Sequence, residues 1–378
     1  YNNKGNALKD QGKLEEAISS YKKAITLFPE NADGYTNIGV AYQEQGNLNS
    51  ALEAFKKSLS LKPKNTQAYN NIGNIYQDQG NLDKAIEAYN KAISIKPEYV
   101  DAYYNKGITL HDQGKFDEAV EAYDRALSLK PDYFEAYNNK ANALKDQGKL
   151  EEAITTYKKA ISLKPDYADA HVNLSFVLLS YGKLNEGLDE YEWRRQTKNG
   201  LASNRHFSQP LWDGKQSLKN KKILLWSEQG IGDTINWSSL IPFVSSQAKS
   251  CILECQEKLV PLLKRSFPNV KIKPNNINND KERKDFDFHL PMGSLYRCFL
   301  QDILKIQKPK AFLVPDPVRV EFWKERLKSL GNGPFVGIGW KSTNMSPDKL
   351  PNNSSISEWS PILTIPDVTF INLQYTDF

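Results

Sequence analysis

Residues 69–102 read YNNIGNIYQDQGNLDKAIEAYNKAISIKPEYVDA, and near copies of this stretch precede and follow it at a spacing of 34 residues. Two sets of positions keep this spacing: the glycines Gly12, Gly46, Gly80, Gly114, Gly148 and Gly182, and the prolines Pro29, Pro63, Pro97, Pro131 and Pro165. A fixed period of this length is typical of stacked repeat proteins. Residues 1–195 therefore predict an array of similar units.

Each unit has the pattern of a helical hairpin. In the quoted copy, apolar spacing predicts helix A from Ala68 to Gln79 and helix B from Asp83 to Ile95. Gly80 lies between them, and we expect it to take the positive φ that ends helix A. Pro97 follows helix B, which it cannot continue. One hairpin cannot bury its own apolar face, so neighbouring units must stack.

This pattern resembles the tetratricopeptide repeat family over residues 1–195. Five units are regular at 34 residues, and a degenerate unit from about Asp169 is predicted to cap the array. In that unit Gly187 stands where the five regular units have alanine (Ala17, Ala51, Ala85, Ala119 and Ala153). Residues 192–195 read EWRR instead of the usual end of helix B. The resemblance implies a right-handed superhelix with a concave groove lined by helix A.

One asparagine per unit stands in helix A where packing does not require it. The positions are Asn3, Asn37, Asn71, Asn105, Asn139 and Asn173. Amides offer both donors and an acceptor, so such a ladder suits an extended peptide backbone. It resembles the ladder of the O-linked N-acetylglucosamine transferases, which holds protein substrate. The alternative is that these amides bond between adjacent helices.

The periodicity changes after residue 195. Residues 196–220 form a polar connector containing FSQPLWDG at 207–214, and short apolar runs then alternate with helical patterns. Strands are predicted at 222–226, 250–254, 270–273, 286–290, 335–340 and 368–373, and helices at 234–247, 257–267, 317–330 and near 356–363. Alternating strands and helices indicate a parallel, doubly wound sheet.

Ligands of such sheets bind beyond the carboxyl ends of the strands, where three segments fall. In the turn 228–233, EQGIGD, Gly230 and Gly232 would let the backbone turn and approach a ligand, and Asp233 is either functional or a helix cap. His289 ends a predicted strand and is either a proton carrier or a buried, locally bonded histidine. Lys341 and Ser342 suit phosphate binding, or else lie in an ordinary solvated loop.

In this order the segments of residues 207–378 resemble the tetratricopeptide-linked glycosyltransferases of bacteria and the related heptosyltransferases. The resemblance implies a two-lobed, metal-independent GT-B enzyme with a nucleotide-sugar as co-substrate. Asp233 matches the base that activates the acceptor hydroxyl, His289 is the second catalytic candidate, and Glu228, Gly230 and Gly232 belong to the acceptor-lobe loop. Lys341 and Ser342 match the donor phosphate contacts, and no convincing metal-binding pair is present.

The predicted fold class is therefore α plus α/β. The repeats at 1–195 and the connector at 196–220 precede a Rossmann-like acceptor-side lobe at 221–330 and the beginning of a donor-side lobe at 331–378. The sequence stops soon after the second strand of that lobe, and Tyr1 falls inside a repeat. We therefore expect both ends to be truncated and these 378 residues alone to be inactive.

Composition narrows the functional classes. Of the 378 residues, 39% are hydrophobic and 25% charged, which suits packed cores rather than disorder. No apolar run reaches the ~20 residues of a membrane helix, and the 3 cysteines are too few for a disulfide framework, which favours the cytoplasm. Residues 1–195 carry a net charge of −3, from 25 basic and 28 acidic residues, so the remainder carries +8.

Two functional hypotheses follow. The first is a glycosyltransferase that transfers a sugar from a nucleotide-sugar to a hydroxyl of a protein or glycan presented by the repeats. The second is a non-catalytic interaction scaffold that binds extended peptide in the repeat groove. Nucleic-acid binding is not expected, because there is no long basic run and no recognised motif.

Overall fold

The computed structural model describes residues 1–276, 280–306, 311–330, 334–338, 363–364 and 369–372. The chain forms two compact units, Tyr1–Arg205 and His206–Phe378. Within the described ranges, no helix combines the length and the apolar character needed to cross a bilayer.

The first unit consists of six helical hairpins. Their A helices are α1 (Asn2–Asp10), α3 (Ala32–Glu44), α5 (Thr66–Asp78), α7 (Val100–Asp112), α9 (Phe134–Asp146) and α11 (Ala168–Ser180). Their B helices are α2 (Leu14–Leu27), α4 (Leu48–Leu61), α6 (Leu82–Ile95), α8 (Phe116–Leu129), α10 (Leu150–Leu163) and α12 (Leu184–Tyr191). A 3-10 helix (Glu192–Gln196) and α13 (Lys198–Ser203) follow.

The turns between A and B helices depend on glycine. Gly80 has a φ of 73°, and the equivalent glycine of every other unit is also left-handed, which confirms the sequence prediction. Helix α5 begins two residues before its predicted start, at Thr66. Asn65 explains the earlier start, because its Oδ1 accepts a hydrogen bond from Ala68 N at 3.3 Å and caps the helix.

The A helices form the inner layer of the array. Each A helix packs against the A helix of the next repeat, whereas successive B helices pack against each other less. Hydrogen bonds cross between neighbouring A helices, from Gln77 Nε2 to Asp112 Oδ2 at 3.1 Å and between His111 Nε2 and Asp146 Oδ2 at 2.8 Å. The prediction that helix A faces the concave side is consistent with this packing.

The last repeat is tied to the segment that follows it. His171 is buried in α11, stacks on Trp193 with ring centroids 4.0 Å apart, and bonds the Glu190 carboxylate through Nδ1. Its Nε2 bonds the carbonyl of Pro165 at 3.0 Å. The altered end of the sixth repeat thus packs back against helix α11 of the same repeat.

The second unit contains a small parallel sheet. Its strands are β1 (Lys222–Trp226), β2 (Ser250–Cys255), β3 (Lys271–Pro274) and β4 (Phe288–Pro291), in the order β3-β2-β1-β4. All three pairings are parallel, as the sequence predicts. Strands β2 and β3 lie on one side of β1, and β4 lies on its other side, so the direction in which strands are added reverses at β1.

The remaining elements of this unit are mostly helical. They are α14 (Ile231–Ser238), α15 (Ile241–Gln247), α16 (Val260–Ser266), α17 (Leu295–Ile303), α18 (Pro317–Lys328) and the parallel pair β5 (Phe335–Ile338) and β6 (Thr369–Asn372). The single helix predicted at 234–247 is two helices. Pro242 accounts for the break, because it has no N–H to donate to the carbonyl four residues earlier.

The two faces of the sheet are covered differently. On one face Ile223, Leu225 and Leu253 pack with side chains of α14 to α17 in the largest apolar core. On the other face Leu224, Trp226 and Ile252 are covered by Phe207 and Phe286.

The segment PLWDG, placed in the predicted connector, belongs to this sheet. Leu211 forms a parallel bridge with His289, and Trp212 N donates to His289 O at 2.9 Å. The Trp212 ring is buried in the core. Asp213 and Gly214 then turn the chain: Asp213 Oδ1 accepts from Lys215 N at 2.8 Å, a bond that lowers the pKa of Asp213, and Gly214 has a φ of 82°. These residues therefore have a structural role.

Candidate functional site

The asparagine ladder lies on the A helices, and three of its amides bond to the preceding repeat. Asn105 Nδ2 donates to Asn70 Oδ1 at 3.2 Å and to Asn74 Oδ1 at 3.0 Å. Asn139 Nδ2 donates to the Tyr104 hydroxyl at 3.0 Å. Asn173 Nδ2 likewise donates to Asn138 Oδ1 at 3.1 Å. The structure thus shows inter-repeat bonding, the alternative left open by the sequence, for these three positions.

The ladder keeps acceptors for a ligand. Within the described part of the chain, the Oδ1 atoms of Asn105 and Asn173 accept no hydrogen bond, although their Nδ2 atoms are engaged. Asn3 is exposed, and Asn37 and Asn71 are half-buried. Inter-repeat bonding therefore orients the amides of Asn105 and Asn173 through Nδ2 alone, whereas Asn139 Oδ1 also accepts from Asn138 Nδ2 at 3.2 Å.

The inner face also has room for a bound chain. A cavity of about 280 Å³ is lined by Asn6, Lys9, Asp10, Asn37, Val40 and Gln67. These residues come from α1, α3 and α5, the A helices of three successive repeats. Asn37 of the ladder therefore faces an open space that continues from one repeat to the next.

Family comparisons agree with this architecture. Residues 5–46, 73–114, 107–148 and 141–182 match the model described as TPR repeat, and residues 32–65 and 54–87 match two models described as tetratricopeptide repeat. The N-terminal half is an array of tetratricopeptide repeats. No corresponding support is found for the glycosyltransferase resemblance of the second half.

Individual proteins similar to the chain include FlbA of Caulobacter vibrioides, which is 31% identical over 180 residues. The alignment covers 44% of this chain but only 30% of FlbA. Among solved structures, MamA is 31% identical with a TM-score of 0.40, covering 44% of this chain and 96% of that one. YrrB, described as a TPR protein with an unusual peptide-binding site, is 24% identical with a TM-score of 0.41, covering 48% and 93%.

Beyond the tetratricopeptide array, a second polar cluster occupies the carboxyl edge of the sheet. Glu228 Oε1 accepts from Gly293 N at 3.1 Å and joins the end of β1 to the residues after β4. Asn275 Nδ2, after β3, donates to Ser227 Oγ at 3.0 Å. Gln256, after β2, accepts from Thr234 Oγ1 at 3.1 Å. Polar groups that follow all four strands, namely side chains after β1, β2 and β3 and the backbone N of Gly293 after β4, thus lie at the edge where doubly wound sheets bind ligands.

Asp233 stands at this edge in the first turn of α14. It is exposed, and its Oδ2 accepts from the backbone N of Gly230 at 3.2 Å. Gly230 is the N-cap residue, so Asp233 caps the helix from its third position and is not itself the N-cap. Gly230 has a φ of −64°, so its backbone conformation does not require glycine. A Cβ at Gly232 would meet no atom within 4 Å, which leaves space beside the turn for a ligand.

His289 lies inside the sheet, before the carboxyl end of its strand. It is the second residue of β4, opposite Leu224, and not the strand end that the sequence predicts. Its side chain is buried, with Trp226 Nε1 donating to its Nδ1 at 3.4 Å and the Phe207 ring 4.6 Å away. This packing matches the buried, locally bonded alternative.

Lys341 and Ser342 lie outside the described residues. The sequence reasoning missed Gln256, Asn275 and Gly293, because no motif connects them along the chain. One signal was available: each follows a predicted strand by only a few residues, and the carboxyl ends of parallel strands share one edge.

Proposed function

We propose that the protein is an interaction scaffold whose repeat array binds an extended peptide of a partner protein on its inner face. The observation that carries this proposal is the ladder of oriented amides, in which Asn105 and Asn173 donate through Nδ2 while their Oδ1 atoms accept no hydrogen bond from the described residues. The open cavity beside Asn37 supports the same assignment. Amides repeated once per unit suit a backbone, because a backbone presents the same donor and acceptor at every residue.

Peptide binding by ladder variants tests this proposal. A random peptide library displayed on phage is selected on the full chain, and the selected peptides are measured by fluorescence anisotropy. We expect Asn71→Ala combined with Asn105→Ala to weaken binding by about tenfold or more, since each lost hydrogen bond contributes about 0.5–1.5 kcal/mol. Asn90→Ala is the matched control, because Asn90 is an exposed asparagine of the B helix α6. Unchanged peptide binding by the double variant, with its helical circular-dichroism signal intact, would contradict the proposal.

A second candidate, for the whole protein from which this sequence comes, is sugar transfer at the sheet edge. It is favoured by the reversal of strand order beside β1 and by the free space next to Gly232. In this proposal Asp233 takes the proton of the acceptor hydroxyl, the hydroxyl oxygen attacks the anomeric carbon, and the nucleoside diphosphate leaves. Lys341 and Ser342 would contact the diphosphate of the nucleotide-sugar.

The second candidate is tested with a panel of UDP-, GDP- and ADP-sugars. Donor hydrolysis or transfer is measured for the full-length gene product and for its Asp233→Asn variant. Turnover that falls at least about a hundredfold in the variant supports a general base, which usually contributes ~10²–10⁴-fold. Equal turnover in both proteins, or none in either, contradicts it.

A further inference from the structure

The residue three positions after each ladder asparagine alternates along the array between an amide and an apolar side chain. In repeat order these residues are Asn6, Val40, Asn74, Ile108, Asn142 and Phe176. Residues three apart on a helix share a face, and Asn37 and Val40 do line one cavity. All six are half-buried or exposed, and Phe176 keeps 52% of its surface exposed. The inner face therefore changes chemistry with a period of two repeats.

The amide positions are held by tyrosines of the B helices. The hydroxyl-to-Oδ1 bonds are Tyr21 to Asn6 at 2.7 Å, Tyr89 to Asn74 at 2.8 Å and Tyr157 to Asn142 at 2.5 Å. Each bond turns the carbonyl oxygen toward the B helix. The Nδ2 groups of these three asparagines donate no hydrogen bond to a described residue, so each can donate to a peptide carbonyl.

The apolar positions form separate patches in the intervening repeats. Val40 packs on the cluster around Phe55, and Ile108 packs on the cluster around Tyr123. Phe176 meets the ring of Tyr191 edge-on, with centroids 6.0 Å apart. These side chains cannot bond a backbone, but they can bury an apolar side chain of a ligand.

Acidic residues accompany both kinds of position. Glu44, Asp78 and Asp112 follow Val40, Asn74 and Ile108 by one helical turn, and all three acids are exposed. Lys9 pairs with Glu44 at 3.5 Å, but the six A helices together hold 9 acidic residues and 5 lysines, so the inner layer carries an excess of negative charge that favours a basic ligand.

We propose, resting on the proposed peptide-binding function, that the preferred partner is a basic extended peptide with apolar side chains about six residues apart. Neighbouring A helices pack side by side at about 8–10 Å, so apolar patches in alternate repeats lie roughly 16–20 Å apart. An extended chain advances about 3.3 Å per residue and points alternate side chains to opposite faces. An even spacing of about six residues therefore brings successive apolar side chains onto successive patches.

The test compares fluorescein-labelled peptides of identical composition, each rich in Lys and carrying three Leu. The Leu residues are separated by four, five, six or eight positions, and binding to the full chain is measured by fluorescence anisotropy. We expect the six-residue spacing to bind about tenfold or more tightly than the others, because fewer apolar contacts form out of register. Binding should weaken as salt is raised.

The decisive variant is Ile108→Asn, because Tyr123 lies where Tyr89 lies and can donate to the new amide as Tyr89 does to Asn74. This substitution is expected to remove the spacing preference. Phe176→Ala should weaken binding of the peptide with six-residue spacing severalfold. It should not disturb folding, because 52% of the Phe176 surface is exposed. Leu129→Asn is the matched control, since Leu129 is a partly exposed apolar residue at the end of the B helix α8.

The outcomes separate the two proposals. One outcome is that peptides of all spacings bind equally well and lose this binding in the Asn71→Ala, Asn105→Ala double variant. That result overturns the spacing rule but not the proposal that the groove binds peptide. Failure of every Lys and Leu peptide, while phage-selected peptides bind through the ladder, likewise overturns only the rule. Binding that ignores the ladder variants overturns both. A preference for six that survives Ile108→Asn and Phe176→Ala also overturns the rule.

Discussion

Gly73 of α5 lies directly against the ring of Tyr89 in α6. A Cβ placed on Gly73 would be 2.4 Å from Cε1 of Tyr89, closer than real side chains approach. Gly5, Gly39 and Gly107 face their own aromatic partners in the same way. The fifth repeat instead has Ala141, fully buried in a cluster with Tyr157, so one extra carbon is accommodated there by a different local packing.

Gly73→Ala should therefore destabilise the array despite the better helix propensity of alanine. We expect the free energy of unfolding to fall by about 1–3 kcal/mol, the usual cost of overpacking. Urea denaturation followed by far-ultraviolet circular dichroism measures the change. The reverse substitution Ala141→Gly is the control and should cost only about 1 kcal/mol, from helix propensity. A more stable Gly73→Ala protein would show that the ring moves aside freely.

Gly80 should tolerate asparagine better than alanine. Its φ of 73° is left-handed, and a Cβ there would meet no atom within 4 Å, so conformation alone decides the cost. The left-handed region costs most L-residues about 1–2 kcal/mol, and asparagine visits it more readily. Urea midpoints should rank wild type above Gly80→Asn, and Gly80→Asn above Gly80→Ala. Equal midpoints for the two variants would contradict this reasoning.

The array should unfold in alkaline solution. Burial raises the pKa of Tyr99 to about 12 and, aided by Asp169, that of Tyr167 to about 12, against about 10 for a tyrosine in an unfolded chain. Because the folded-state pKa is the higher one, these groups contribute their stability below about pH 10 and lose it as the pH rises toward 12.

Circular dichroism and tyrosinate absorbance, recorded together, measure this transition. Helix loss should accompany ionisation of the buried tyrosines above about pH 10, and Tyr99→Phe should move the midpoint to higher pH. Full tyrosine ionisation with the helical signal unchanged would be incompatible with the burial described here.

Removing Arg283 should destabilise the α/β unit severely. The Glu254 carboxylate is buried on β2 and accepts from Arg283 Nη1 at 2.8 Å, while Arg283 also bonds both oxygens of Asp285. Arg283→Met leaves Glu254 charged, buried and without this partner, which costs about 3–5 kcal/mol.

The double variant Glu254→Leu, Arg283→Met provides the control for that prediction. It should recover most of the lost stability, since an apolar pair is often equivalent to a buried ion pair. Urea unfolding monitored by tryptophan fluorescence would report the cycle. Additive losses in the double variant would mean that the two side chains do not act as a pair.

Much of the fold could be predicted from the sequence because the relevant signals are local. The hairpin of residues 69–102 is specified by apolar spacing, by Gly80 and by Pro97, all within 34 residues. Strand β1 matches its predicted range, Lys222–Trp226, since a short apolar run is itself the signal for a buried parallel strand. Such features depend on backbone conformation and on the period of side-chain burial.

Hydrogen-bond partners could not be predicted in the same way. Asn105 bonds residues 31 and 35 positions earlier in the chain, and Glu228 bonds Gly293, 65 positions later. The local sequence around one partner does not identify the other. Only the packing of helices and strands brings them within bonding distance.

The sequence by itself determined the repeat period, the left-handed turns and the parallel character of the sheet, because each follows from conformational preferences over a few residues. The tertiary structure alone decided which way the ladder amides point and that His289 packs beneath Phe207, away from the strand end. It also decided that PLWDG serves as the edge of a sheet. These outcomes depend on which surfaces meet, and that is set by the whole fold.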